Sequence, residues 1–118
     1  MICRVWHGWT TLEKADAYER YLKDELFPRV EKELSPHGYR GFELLRRSQD
    51  HEVEFVTMLW FQSLEAVRSF AGANYEMPVI SDKAQTLLYR YADRVTHYEV
   101  AGCARGISTP AERRNAKP

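Results

Sequence analysis

The chemistry open to this chain rests on a few residue types, and His97 is the first of them. It lies in a short strand-like run among apolar neighbours, and imidazole titrates close to neutral pH, so His97 is the acid-base candidate. A neutral, hydrogen-bonded core histidine is the plain alternative at the same position. His7, His37 and His51 are scattered through loops and the first strand with no metal-ligand spacing, so no metal site is expected. Trp6, Trp9, Trp60, Phe70 and Tyr75 could line a flat pocket, since large rings stack on planar ligands at little entropic cost; core or dimer-interface packing would use the same rings. Trp6 and Trp9 differ in parity along one strand, so they share a face only if Gly8 marks a bulge. Tyr75 falls in a break between helices, a place for a pocket mouth or for an exposed loop residue. Arg4 and Glu54 fall on strands expected to be neighbours, where they could pair near a ligand anion or simply support the sheet.

The elements that must position these residues are legible from periodicity. The run Glu54 to Gly72 changes from strand alternation to a capped helix within one residue at Ser63, with Leu64 to Ala71 helical and Gly72 at its end. Ile2 to Trp9 reads as the first strand. Thr10 and Glu13 are spaced as a capping box for a helix carrying Leu12, Ala15, Tyr18 or Glu19, Leu22 and Leu26 on one stripe. Pro28 should kink that helix, Val30 and Leu34 continue the stripe, and Ser35-Pro36-His37-Gly38 stops it. Tyr39 to Arg47 and Glu52 to Phe61 read as an antiparallel hairpin. After the break Asn74 to Pro78, Asp82 is spaced to cap a helix through Leu87, Leu88 and Tyr91, and Arg94 to Ala101 reads as the last strand. The order β-α-β-β-α-β predicts an α+β, ferredoxin-like domain with a four-stranded antiparallel sheet over residues 1–102.

Composition narrows the partners. The chain has 118 residues, enough for one core, and its 17 basic residues balance 17 acidic ones, which gives no field suited to nucleic acid. No apolar run is long enough to span a membrane, and Met1-Ile2-Cys3-Arg4 leads directly into strand-like sequence, so a cytoplasmic protein is expected. Cys3 and Cys103 are too few for a disulfide framework; the first and last strands should bring them near one another, with reduced thiols the simpler state. Residues 103–118 form a polar tail whose basic residues are Arg105, Arg113, Arg114 and Lys117, expected to be mobile or to lie as an arm on a partner. There is no internal repeat and no glycine-rich phosphate loop. In the strand Val53 to Phe61 both alternating faces are largely apolar, and two helices can cover only one of them, so a second copy is expected on the other.

Several segments together, Arg4-Val5-Trp6-His7-Gly8, Tyr18 with Leu22, Gly38, Glu54-Phe55, Trp60 with Ser63, Phe70-Ala71-Gly72, Asp82 with Leu87-Leu88, and His97-Tyr98-Glu99-Val100, resemble the antibiotic biosynthesis monooxygenase-like proteins of the dimeric α+β barrel superfamily. The resemblance implies a homodimer with a pocket between each sheet and its own helices. Members with known chemistry oxygenate polycyclic phenols or anthrones without metal or flavin, or degrade heme. The heme branch looks to an asparagine on the first strand, a tryptophan on the third and a histidine on the second helix; Trp60 fits, but the first strand has no asparagine and Leu64 to Ala92 has no histidine. No cofactor is therefore expected. The functional expectation is a cofactor-independent oxygenase-like protein for a small planar phenolic or quinonoid compound. His97 would polarise or deprotonate that compound, and Trp6, Trp60, Phe70, Tyr75 and Arg4 would bind it. The alternative is a non-catalytic dimeric ligand-binding or stress-related domain of the same fold.

Overall fold

A computed structural model describes residues 1–104, so the tail residues Arg105, Arg113, Arg114 and Lys117 lie outside the described residues. Strand β1 (Ile2–Thr10) is central. On one side it pairs antiparallel with β3 (Val53–Phe61), which pairs in turn with β2 (Tyr39–Ser48). On its other side it pairs with two short strands in tandem, β4 (Leu88–Tyr91) and β5 (Thr96–Glu99). The fourth position of the expected sheet is thus filled by a broken strand.

The helix expected to run through Leu88 and Tyr91 ends instead at Leu87. Leu88-Tyr89-Arg90-Tyr91 alternates as a strand does, and the edge of β1 from Gly8 to Thr10 is open to pair with it. The last strand is correspondingly shorter than Arg94 to Ala101. Gly8 faces Tyr91 whereas Val5 faces Thr96, so a bulge over Ala92–Val95 absorbs the extra residues.

Helices α1 (Ala15–Tyr21), α2 (Phe27–Leu34), α3 (Leu64–Ala71) and α4 (Asp82–Leu87) supply the second layer. Their apolar residues Tyr18 and Val67 are fully buried with Phe55 and Phe61 of β3, as is Leu22, which follows α1. Leu22–Leu26 forms a π-helical turn, with the Phe27 N–H bonded to the Leu22 carbonyl, so the expected kink is a widened turn just ahead of Pro28, which cannot donate a bond of its own. Ser63 caps α3 by accepting from the Ala66 N–H at 3.1 Å, as the spacing predicts. Two other caps differ. Ser81, not Asp82, accepts from the Ala84 N–H at 3.1 Å, which leaves Asp82 in the first turn, where its charge meets the helix dipole. Thr10 caps nothing: β1 keeps its pairing to the end, which buries Thr10 opposite Val53, and α1 starts at Ala15 with no side-chain cap.

The helices cover the face that carries Arg4, Trp6, Phe55 and Leu59. The opposite face carries Val5, Val56, Met58, Trp60 and the exposed Leu45. Both cysteines are free; Cys3 is buried opposite Tyr98, and Cys103 is exposed beyond the end of the paired strands. Among the described residues no helix is long and apolar enough to cross a membrane.

Gly38 ends the first helical unit with φ +101°, and a Cβ there would stand 2.7 Å from the Ala66 Cβ. Gly41 also has a positive φ, +129°, but nothing lies within 4 Å of its Cβ direction. Gly38→Ala is expected to lower stability by about 2 kcal/mol or more, and Gly41→Ala by about 1 kcal/mol. Equal losses in urea unfolding would show that the Gly38–Ala66 contact is not what requires glycine.

Candidate functional site

Arg4 enters the interior by the alternation of β1: its neighbours two and four residues on, Trp6 and Gly8, face the helices with it. It is only 4% exposed. Its Nη1 donates to the Tyr75 carbonyl at 2.6 Å and to His97 Nε2 at 3.1 Å, and its Nη2 donates to the Met77 carbonyl at 3.2 Å. The Phe70 ring lies 5.3 Å from the guanidinium carbon. Burial draws the Arg4 pKa down to about 10, which still leaves it charged at neutral pH. No carboxylate pairs with it among the described residues. A buried cation satisfied only by neutral acceptors lacks the countercharge that usually offsets desolvation.

Arg4 opens on a cavity of about 180 Å³ between the sheet and the helices. The sheet contributes Trp6, Thr57 and Leu59; the α1–α2 unit contributes Tyr18, Leu22, Leu26, Phe27 and Val30; Phe70, Val79, Ile80 and Ser81 close the far side. The exposed Arg29 stands at the rim. Among the described residues no acid lines the cavity. The Trp6 indole N–H is taken by the Ala92 carbonyl at 2.7 Å, so the bulge in the fourth strand fixes the ring. Burial, with the neighbouring Tyr21, pushes the Tyr18 hydroxyl pKa up, so Tyr18 is a neutral hydroxyl at physiological pH.

Of the residues expected at the site, Arg4, Trp6 and Phe70 line this cavity. His97 and Tyr75 do not; they stand behind Arg4 on a more open depression shared with Glu76 and Arg94. Their rings meet edge to face at 5.1 Å. Because arginine only donates, His97 Nε2 accepts the Arg4 bond, and the neutral ring carries its proton on Nδ1. Burial and the Arg4 charge both lower the His97 pKa, against a weaker raising effect of Glu76. Trp60 is opposite Cys3 and so lies on the other face of the sheet, which separates it from the cavity. Trp9 shares that other face, with the Arg90 guanidinium 3.9 Å from its ring centre, so Trp6 and Trp9 are split as their parity requires. Arg4 and Glu54 also lie on opposite faces; Glu54 pairs instead with His7 Nδ1 at 2.9 Å and Arg47 Nε at 3.2 Å.

Arg29, Thr57 and the backbone of the segment 75–81 are among the contributors that escaped the sequence, which singled out only the Tyr75 ring of that segment. Arg29 and Thr57 look like ordinary surface and strand residues, and the segment acts through backbone carbonyls that no side-chain pattern reveals. Among the described residues, no three His, Cys, Asp or Glu side chains gather as a metal site would require.

No family model matches the chain, and no curated protein does. Among solved structures, a crystal structure from Bacillus cereus of a protein classed as an antibiotic biosynthesis monooxygenase shares the fold, with a TM-score of 0.59, covering 89% of this chain and 97% of that chain at 11% identity. The chain thus has the α+β fold of those proteins. Identity this low carries the architecture and no residue's role.

His97 supplies a pH signature. With its folded pKa below the unfolded value of 6.5, the unfolded chain takes up this proton first as pH falls. The stability linked to neutral His97 is therefore complete above pH 6.5 and is lost as pH falls from there through the folded value. The His97 ring resonances should titrate below the usual histidine range, and His97→Gln should flatten the decline of the melting temperature with acid. A titration at the ordinary value would dissolve the Arg4–His97 coupling.

Proposed function

We propose that this protein is a cofactor-independent, oxygenase-like protein that binds a small planar aromatic compound in the cavity between sheet and helices. The observation that carries this reading is the buried, acid-free Arg4 opening on an apolar, ring-lined space. An electron-rich aromatic with an anionic oxygen would place its ring against Trp6 and Phe70 and its charge against Arg4. Arg4 then stabilises the anion, and the apolar walls exclude water. The ring anion can give one electron to dioxygen; the two radicals combine at a ring carbon that carries hydrogen to give a peroxide anion, which takes up one proton, the equivalent of that lost from the ring oxygen, and breaking of the C–H and O–O bonds with loss of water leaves a quinone. Dioxygen is both the oxidant and the source of the inserted oxygen. In this reading His97 acts through Arg4 as a positioning residue and not as the base that sequence alone suggests. The fold shared with the Bacillus cereus protein supports the oxygenase class.

A second reading keeps the ligand and drops the reaction. It is favoured by one observation: among the described residues no histidine, aspartate, glutamate or lysine lines the cavity to take a substrate proton. Oxygen-electrode measurements across ring-hydroxylated aromatics separate the two. Oxygenase function predicts uptake above the buffer rate, reduced at least about tenfold in kcat/KM by Arg4→Met. No uptake with any of these compounds would leave the binding domain.

We further propose that two copies associate through the face carrying Val56, Met58 and Trp60, on which no helix of the chain lies. A cytoplasmic setting agrees with the buried, reduced Cys3. Size-exclusion chromatography with light scattering should give a dimer at micromolar concentration and a shift toward monomer for Val56→Arg. A monomeric wild type would overturn the assembly.

A further inference from the structure

We infer that the cavity selects a single-ring aromatic carboxylate, of which the 2-hydroxybenzoates, whose ring oxygen lies beside the carboxylate and so within reach of Arg4, are the class that the proposed reaction could use. The inference rests on the ligand-binding reading above and goes further by fixing the size and the charged group of the ligand.

Size comes from the volume. A sealed apolar cavity of about 150 Å³ takes one benzene, whereas pockets for drug-sized ligands begin near 300 Å³. At about 180 Å³, this cavity holds one ring with a small substituent and has no room for three or four fused rings. The aromatic walls Trp6, Phe27 and Phe70 suit the faces and edges of one such ring.

The charged group follows from the donors of Arg4. Hydrogen bonds to described residues engage two N–H groups on Nη1 and one on Nη2. No hydrogen bond to a described residue uses Nε, and Nη2 makes one; with Met77 on the Nη2 hydrogen that faces Nη1, the Nε–Nη2 edge of the guanidinium plane is left. That edge is the parallel fork to which a carboxylate binds through both oxygens. An amide, alcohol or amine can match neither its charge nor its two acceptors. Arg29 at the rim adds a second positive charge on the entry side, and no acidic lining residue opposes an incoming anion. The same carboxylate would supply the countercharge that Arg4 lacks in the empty cavity, so binding converts an uncompensated buried cation into a bidentate pair.

The test uses the full-length protein and isothermal titration with benzoate, salicylate, benzamide, 1-naphthoate and 9-anthracenecarboxylate at pH 7. Benzoate or salicylate is expected to bind saturably and at least tenfold more tightly than benzamide, with 9-anthracenecarboxylate excluded. Benzamide binding as tightly as benzoate would overturn the carboxylate, and preference for the three-ring acid would overturn the size limit. Arg4→Met should abolish benzoate binding. Since Arg4 also ties down the segment 75–77, a second variant leaves it in place: Ala84 of α4 lines the cavity, and Ala84→Leu, which would fill it, should abolish binding independently in a protein whose circular dichroism is unchanged. Oxygen uptake is read separately. Benzoate binding with no uptake on any hydroxybenzoate supports this assignment and removes the oxygenase reading, whereas uptake on polycyclic phenols without benzoate binding overturns this assignment and leaves that reading standing.

Discussion

Arg4 is a positive charge held in an apolar interior by two backbone carbonyls and one imidazole, and the site is organised around keeping it there. The carbonyls of Tyr75 and Met77 come from a segment with no regular structure of its own, so the guanidinium is what fixes that segment against β1. The same segment continues into Val79, Ile80 and Ser81, which wall the cavity. His97 accepts the remaining inward bond and stays neutral because burial and Arg4 both disfavour its protonation. One desolvated cation therefore sets the position of a wall and the charge of a histidine, and it leaves the cavity positive.

The broken fourth strand has a comparable role. Its bulge turns the Ala92 carbonyl toward the Trp6 indole, which locks a large ring on the cavity wall and leaves its face for a ligand. Val95, in the same bulge, donates its N–H to the Glu76 carbonyl at 2.7 Å and ties the fourth strand to the segment that Arg4 also holds. β1, the bulge and the 75–81 segment are thus linked by hydrogen bonds on the side of the cavity away from α1 and α2. Tyr21 extends the network from the helical side, its hydroxyl 2.5 Å from the Ser81 oxygen that caps α4.

Much of this fold was legible because local physics governs it. The strand alternation of Val53 to Phe61, the Ser63 cap and the helical stripe of Tyr18, Leu22 and Val30 depend on near neighbours in sequence and were read with small errors in their ends. Leu88 to Tyr91 reads as helix from sequence because Leu87, Leu88 and Tyr91 continue a helical spacing; the free edge of β1, a partner some eighty residues away, makes it a strand. The cap moved from Asp82 to Ser81 for a similar reason, since Ser81 is also held by Tyr21 from another helix. Of the aromatic set, Trp6 and Phe70 reached the cavity and Trp60 did not, although parity along β3 already set Trp60 apart from Phe55 and Leu59.

By itself the sequence determined the element order, the division of each strand into two faces, and the α+β class, because backbone geometry and hydrophobic periodicity act over a few residues. Tertiary structure alone decided that Arg4 is buried with no acid paired to it among the described residues, that His97 stands behind it and not in the cavity, and that the cavity holds about 180 Å³. Those properties depend on distances between groups 71 and 93 residues apart, and on how closely two layers pack. No local pattern encodes such distances; they emerge when the sheet register and the helix docking are fixed together.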